Sequence, residues 1–457
     1  MKYQINTLVA VTLLINIVIF TSCRKDWLDI KPEKSLVVPT TIKDFQALLD
    51  NTTLIFNSQA GGAGEMSAGD FFLLNASYSS LFSSEEKSAF IWSNTENFYN
   101  GEPSADWAGA YKRILNANII LEGLDKISPS QTELLSWNNA KGSALFFRAF
   151  DYYSLSQQYC KPYLEATASS DLGIPIRTEP NVNISVSRGN LQQTYAQIID
   201  DLRKSISLLP IEPSVKTRPS KHAAYSMLSR IYLSMESYDQ AFLYADSALQ
   251  VRNTLMNFSA LNAAATYPIA RFNTEVIFQS TFSYGIFAAS RLLVDPLLFS
   301  SYALNDLRRT IYFTNASGGM TYKGSYNGDK NLFGGLTIDE LYLIRAECYA
   351  RKGNKDDALK DLNYLLRTRW LGTFQDITAT TPDDALGKIL IERRKELIFR
   401  GVRWSDLRRL NRDSRFRSTL TRTVNGQTYT LAPQDSKYVL PIDETEIRLS
   451  GIQQNIR

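Results

Sequence analysis

"YLIRAECYARKGNKDDALKDL" (Tyr342 to Leu362) decides how the rest of the chain is read. Tyr349 follows Ala346 by three residues and precedes Ala358 by nine, with Gly353-Asn354 as a turn between them. After the turn, Ala358, Leu362, Leu365 and Leu366 fall on one face of a helix. Two antiparallel helices approach closely only where side chains are small. A tyrosine in the adjacent turn then fills the gap to the next pair. This is the tetratricopeptide pattern.

The same spacing recurs upstream. "HAAYSMLSRIYLSMESYDQAFLYADSAL" (His222 to Leu249) places Tyr232 three residues after Ser229 and Ala241 nine residues further on, with Glu236-Ser237 as the turn. Ala108/Tyr111 and Ala149/Tyr152 repeat the first half of the motif. Intervals between the units are uneven, and a regular solenoid would keep its period. The fold class is therefore mostly α: tetratricopeptide-like helical hairpins forming a scaffold, with long loop-rich insertions and a few short β-hairpins. Units are placed near 105–127, 141–164, 221–250 and 338–370. A generic helical domain with chance small-x-x-Tyr pairs is the plainer alternative.

The insertion over 262–335 differs in character. From Tyr267 to Gly335 thirteen residues are aromatic, charges are sparse, and Gly, Ser and Asn are frequent, as in "NASGGMTYKGSYNGDKN". Flat rings stack on sugars or cover peptides, while Asn, Asp and Arg fix orientation. Phe278 and Phe282, four apart, read as core. The loops after Gly318 have less core to bury themselves in. "AGGAGEMSAGDFFLLNASYSSLF" (Ala60 to Phe82) has a similar look, with Trp92, Tyr99 and Trp107 following. Composition selects Asp70, Trp92, Tyr99, Tyr284, Tyr322 and Tyr326 as ligand-binding candidates.

At the other end, "IFTSCRKDWLDIKP" (Ile19 to Pro32) closes a greasy run on a single cysteine. Lys2 supplies a positive start and Leu8 to Phe20 a core of signal-peptide length, shorter than the roughly twenty residues of a membrane span. Small Thr21 and Ser22 before Cys23 suit a peptidase that cuts in front of a lipid-modified thiol. An ordinary cleaved signal has an A-x-A-like site, absent here. An uncleaved anchor must bury Asn16 within Tyr3 to Ser22. The division is 1–22 signal peptide, 23–39 lipidated tether and 40–457 a single domain. Acyl chains contribute about 0.8 kcal/mol per buried CH₂, so two or more hold the protein to a bilayer without crossing it.

Bulk properties exclude other classes. Fifty basic residues oppose 46 acidic ones, which is no nucleic-acid footprint. Cys160 and Cys348 remain once Cys23 is assigned to lipid, and both read as buried thiols rather than a disulfide framework. The one histidine, His222, opens a helix without a second His or a Cys pair, so no metal site and no cofactor are expected. No G-x-S-x-G elbow supports a serine hydrolase.

"ERRKELIFRGVRWSDLRRL" (Glu392 to Leu410) is the most distinctive stretch. From Glu392 to Arg417, nine Arg and one Lys face four acids. A phosphate-binding patch is one reading. A structural one is favoured, because Leu386, Ile389, Leu390, Arg393 and Leu397 share a helical face. Arg393 then sits among apolar residues and needs a carboxylate. Glu347, in the "RAECYA" helix, is the expected partner.

Together these stretches resemble the SusD/RagB family of outer-membrane nutrient-binding lipoproteins. The resemblance is carried by Cys23 with "DWLDIKP" behind it, "RAECYARKGNKDDALKDLN", "IERRKELIFRGVRWSDLRRL" and the closing "YVLPIDETEIRLSGIQQN" (Tyr438 to Asn455). "TRTVNGQTYTL" (Thr421 to Leu431) adds an Asn-Gly hairpin. The resemblance implies a lipid-anchored protein on the outer face of the outer membrane. Its partner is a TonB-dependent SusC-like transporter, and it captures glycan or peptide fragments without catalysis. Two features depart from the family: Arg24 and Lys25 stand directly after the cysteine, and Tyr267 to Gly335 has no tryptophan. A lipid-anchored glycan hydrolase and a tetratricopeptide-type scaffold binding peptides are the competing functions.

Overall fold

The computed structural model describes residues 39–56 and 61–457. Ile42–Arg457 form one compact body, and the preceding unit, Met1–Thr41, is described only at 39–41. The expected signal peptide, Cys23 and nearly all of the tether lie outside the described residues.

Four short helices come first: α1 (Ile42–Leu49), α2 (Gly62–Ser67), α3 (Asn75–Ser79) and α4 (Ser84–Phe90). The scaffold follows as α5 (Ala105–Asp125), α6 (Leu134–Tyr159), α7 (Leu191–Leu208), α8 (Lys221–Ser234) and α9 (Tyr238–Val251), each packed on its predecessor. An insertion carries only the short α10 (Pro296–Ser300) and α11 (Arg308–Ile311). The array resumes with α12 (Ile338–Arg351), which packs on α9, then α13 (Lys355–Arg367) and α14 (Pro382–Glu396). Helices α15 (Arg403–Leu410) and α16 (Glu444–Ser450) complete the chain.

Strands are short and pair two by two, antiparallel. β1 (Phe71–Phe72) pairs with β6 (Leu293–Val294), β2 (Leu172–Pro175) with β3 (Arg188–Asn190), and β4 (Val276–Phe278) with β10 (Leu336–Thr337). β5 (Thr281–Phe282) pairs with β9 (Leu332–Phe333), β7 (Phe313–Ala316) with β8 (Gly319–Tyr322), and β11 (Leu420–Val424) with β12 (Gln427–Leu431). The last pair turns at Asn425 and Gly426, both at positive φ (50° and 76°), as an Asn-Gly hairpin requires.

Local chemistry explains the helix ends. Asn190 and Gln193 form a reciprocal capping box that starts α7. Ser220 accepts the Ala223 N–H at the start of α8, and Asn354 accepts the Asp357 N–H at the start of α13. The turns of the two best-matched hairpins use the same device. Glu236 and Gly353 both sit in the left-handed region, at φ 60° and 82°. A Cβ on Gly353 would meet nothing within 4 Å, so the backbone angle alone accounts for glycine there.

Packing follows the small-residue reading in three units. Ala149, Ser229, Ala241, Ala346 and Ala358 are fully buried between helices. Tyr232 stacks on Tyr244 with centroids 5.6 Å apart, and Tyr349 meets Phe242 edge-on at 4.9 Å. The first unit differs. Ala108 faces outward, and Ala110 and Ala117 make the close approach instead. A half-turn offset along one helix moves a small residue from the seam to the surface.

The arginine block is structural. Leu386, Ile389, Leu390, Arg393 and Leu397 are all buried, as the helical face required. The partner is corrected: Arg393 Nε donates to Asp406 (2.8 Å), with Glu340 at 3.7 Å, while Glu347 is held by Arg409 (2.6 Å) and Arg351 (2.8 Å). Asp406 lies on α15, thirteen residues further along the chain, and its carboxylate reaches Arg393 directly. The surrounding guanidiniums hold Glu347 down at about 2 despite burial.

The aromatic insertion is also corrected. Phe278, Phe282, Phe287, Tyr302, Tyr312, Phe313, Tyr326 and Phe333 are buried, and Tyr267 and Phe272 are among the few rings left open. These loops fold onto the arginine block, and its guanidiniums and acids give the rings polar partners inside the body. Cys160 and Cys348 are free and buried, as read.

Candidate functional site

Beside the scaffold an open cleft of about 810 Å³ is walled by three segments. Its floor is the start of α5, carrying Asp106 and Arg113. One wall is the N-terminus of α4, with Glu85 and Glu86. The other is the β5–Gly285 loop, with Phe282 and Tyr284. Each wall is held by its caps. Ser83 caps α4 by accepting the Glu86 N–H, and Ser104 caps α5 by accepting the Trp107 N–H. Ser104 Oγ also donates to Glu85 Oε1 (3.1 Å), tying the two helix starts together.

Carboxylates dominate the cleft. Asp106 accepts the Tyr284 hydroxyl and the Ala63 N–H (3.0 Å). Glu86 Oε1 accepts the Ile286 N–H (3.1 Å). Arg113 is turned away to Asp151 (2.8 Å), leaving exposed Lys112 as the free cation among the described lining residues. Burial, then the charge of Asp106, pushes Glu85 up to about 8. Burial also raises Asp106, opposed by the hydrogen bonds from Tyr284 and Ala63. Both shifts favour the protonated acid.

Tyr284 is held flat over α2. A Cβ on Gly62 would lie 1.9 Å from its ring, so the close approach needs glycine at that position. Leu54, in the lining, is 72% exposed, and Phe82, next in sequence to the lining residue Ser83, is 99% exposed. Phe82 occupies the position before the Ser83 cap, where an apolar residue ordinarily packs on the fourth helical residue. That residue is Lys87, so the ring has no staple partner and stands in solvent.

Of the six composition-based candidates, only Tyr284 lines this cleft. Asp70 is buried under Arg394 (2.8 Å) and Arg403 (3.6 Å). Trp92 is buried and donates to the Ser67 carbonyl (3.0 Å). Tyr99 donates to the Pro441 carbonyl (2.8 Å). Tyr326 is fully buried, donates to Glu275 (2.6 Å) and carries the Arg400 guanidinium 3.5 Å over its ring. Tyr322 is half-buried, edge-on to Phe399 at 5.0 Å. Phe82, Glu85, Glu86 and Asp106 were not selected from sequence. For Phe82 the usable signal was the lysine at the staple position. The acids carried none, because nothing local marks which carboxylates a distant loop will cover. No group of His, Cys, Asp and Glu that could hold a metal ion occurs among the described residues. No helix among them is long and apolar enough to cross a membrane.

The fold has close likenesses among solved structures. A SusD superfamily protein from Bacteroides thetaiotaomicron superposes with a TM-score of 0.73 at 21% identity, covering 91% of this chain and 100% of that one. A SusD-like carbohydrate binding protein from Bacteroides vulgatus gives 0.67 at 21% identity, over 90% and 97% of the two chains. Surface glycan-binding protein A from Bacteroides uniformis gives 0.69 at 17% identity, over 91% and 99%. In sequence, SusD-like protein P2 of Formosa agariphila is 28% identical over 143 residues, which is 31% of this chain and 26% of that relative. The match thus spans about a quarter of that relative's length. A family model described as starch-binding associating with outer membrane matches residues 26–233, and the SusD family model matches 314–456. The first match reaches from ahead of α1 into α8, and the second takes in the hairpin of α12 and α13, the arginine block and the closing segment; on both, the chain belongs to the SusD/RagB family.

Proposed function

We propose that this chain is a lipid-anchored outer-membrane binding protein that captures neutral oligosaccharides in the cleft and passes them to a SusC-like transporter. In this reading Cys23 carries the acyl chains, 23–39 is the tether and 40–457 is one domain facing the exterior. The observation that carries it is Tyr284, hydrogen-bonded to Asp106 in a cleft also lined by Phe282, Glu85 and Glu86. Rings on one wall facing acids on the other suit a sugar, whose faces are apolar and whose edges are hydroxyls. Glu86 and Asp106 against one free lysine disfavour acidic glycans. The carbohydrate-binding and glycan-binding names of two proteins of this fold support a sugar as the ligand.

The test is a glycan array and calorimetry on the protein starting after Cys23, repeated with Phe82→Ala and Tyr284→Ala. Binding of a neutral oligosaccharide, weakened in both variants, is the expected result. Binding unaffected by either variant would move the site elsewhere. Anchoring is checked by palmitate labelling and release of a Cys23→Ala form from the envelope. The transporter is checked by co-purification of a large β-barrel.

One observation favours a second reading. Glu85 and Asp106 line one cleft and burial pushes Glu85 up to about 8, and two carboxyl groups in one cleft are what a glycoside hydrolase needs. Turnover of a bound oligosaccharide, lost in Glu85→Gln, would establish it. An oligosaccharide recovered intact after prolonged incubation would leave capture alone.

A further inference from the structure

Helices α6, α8, α14 and α15 line a second cavity, of about 30 Å³. Ser154, Gln158, Arg393 and Trp404 form part of its wall. Each keeps one buried polar atom without a protein partner: Ser154 Oγ, Gln158 Nε2, Arg393 Nη1 and Trp404 Nε1. None of the four residues is more than 4% exposed. Three of these atoms only donate hydrogen bonds, and the hydroxyl is free to donate. The Gly64 N–H donates to Gln158 Oε1 (3.2 Å), which fixes the amide with its nitrogen on the other side. Trp404 packs on the same glycine, its Cδ1 3.1 Å from where a Cβ would stand, so the indole edge bearing Nε1 reaches the same place.

Arg230, Arg393 and Arg409 line this cavity with one acid, Asp406. Glu340 is taken by Arg230 (2.5 Å). Asp406 is taken by Arg393 (2.8 Å) and Arg409 (2.9 Å), and Glu347 by Arg409 (2.6 Å) and Arg351 (2.8 Å). Arg351 also reaches Asp413 at 3.8 Å. Arg408 has no carboxylate within salt-bridge distance among the described residues, and donates to the carbonyls of Gln157 and Cys160. Gln157 is itself part of the cavity wall. In the wall itself three guanidiniums stand with one carboxylate, and Glu340 and Glu347 lie behind them. A buried charge without a counter-charge and donors without an acceptor are each costly, and one occupant relieves both.

We propose that this cavity is a small-anion site holding one halide ion, chloride in ordinary buffers, which joins α6 to α14 and α15. About 30 Å³ is room for one halide or about two waters. The site is separate from the oligosaccharide cleft, so it stands or falls independently of the proposed function.

Two measurements on the protein starting after Cys23 test it. Crystals grown in sodium bromide are examined for anomalous scattering, and thermal unfolding is followed in sodium chloride against sodium gluconate at equal ionic strength. The expected result is a bromide peak against Arg393 and Trp404, and an unfolding temperature that rises with chloride and levels off. Trp404→Phe removes one donor and shifts the chloride concentration for half the effect about tenfold upward. Ser154→Ala gives a smaller shift in the same direction and serves if the indole variant does not fold. Water alone in the cavity, bromide found only at the surface, or equal unfolding in chloride and gluconate would each overturn the proposal.

Discussion

Gly62 and Tyr284 show how little room the cleft leaves. An alanine at 62 would put its Cβ 1.9 Å from the tyrosine ring, which must then leave Asp106. Gly62→Ala is expected to weaken oligosaccharide binding as much as Tyr284→Ala does, by calorimetry, with the helical circular dichroism unchanged. Phe82 makes the opposite case. Its ring is in solvent, so Phe82→Ala should leave the urea midpoint within about 0.5 kcal/mol of the parent. The loss of one stacking ring, at about 0.5–1.5 kcal/mol, should reduce affinity roughly two- to tenfold. A single substitution thus separates binding from stability.

Among the elements, α2 carries an acid that behaves as a pH sensor of the fold. Burial, with the charge of Asp70 added, pushes Glu65 up to about 8, and the Gly401 N–H (3.1 Å) and Arg403 only partly oppose this. The folded state therefore holds a proton that the unfolded chain gives up near the ordinary carboxylate value of 4.5. The folded form binds more protons between those two values, so this contribution is full below about 4.5 and is lost as pH rises through about 8. Glu65→Gln keeps an oxygen for Gly401 and cannot ionise. Its urea stability relative to the parent should rise between pH 5 and pH 9 by on the order of 2 kcal/mol. The hairpin of α12 and α13 supplies a simpler check. Gly353→Ala, at φ 82° with open space around it, should cost about 1 kcal/mol through backbone strain alone.

At the scale of the molecule, a buried charge network ties the insertion to the scaffold. Arg369 bonds Glu275 (2.7 Å) and Glu396 (2.8 Å), and Arg308 bonds Glu396 (2.9 Å), Asp306 (2.7 Å) and Glu392 (2.5 Å). Both guanidiniums are almost wholly buried. Removing one partner strands the others, so Glu396→Ala should cost about 3–5 kcal/mol, read from the urea midpoint. The chain end closes the same body. Asn455 donates to the carbonyls of Tyr159 and Leu440 and accepts from Arg188 (2.9 Å), which fastens the final residues to the end of α6.

Periodicity and residue size are local properties, and they determined the helices, the two well-matched hairpins, the Asn-Gly turn and the buried face of α14. They also showed that Arg393 needs a carboxylate. Which carboxylate answers it, Asp406 rather than Glu347, depended on how α15 folds back, and no interval in the chain encodes that. The candidate site divides the same way. Tyr284 was visible as a ring in a polar loop, but so were Tyr326 and Tyr99, and only packing separated them. A tyrosine is buried or exposed according to whether a distant acid, carbonyl or guanidinium meets it. Such partners come from segments hundreds of residues apart, as Tyr99 with Pro441 and Asp106 with Tyr284 show. Tertiary structure alone decided which rings became core and which were left open.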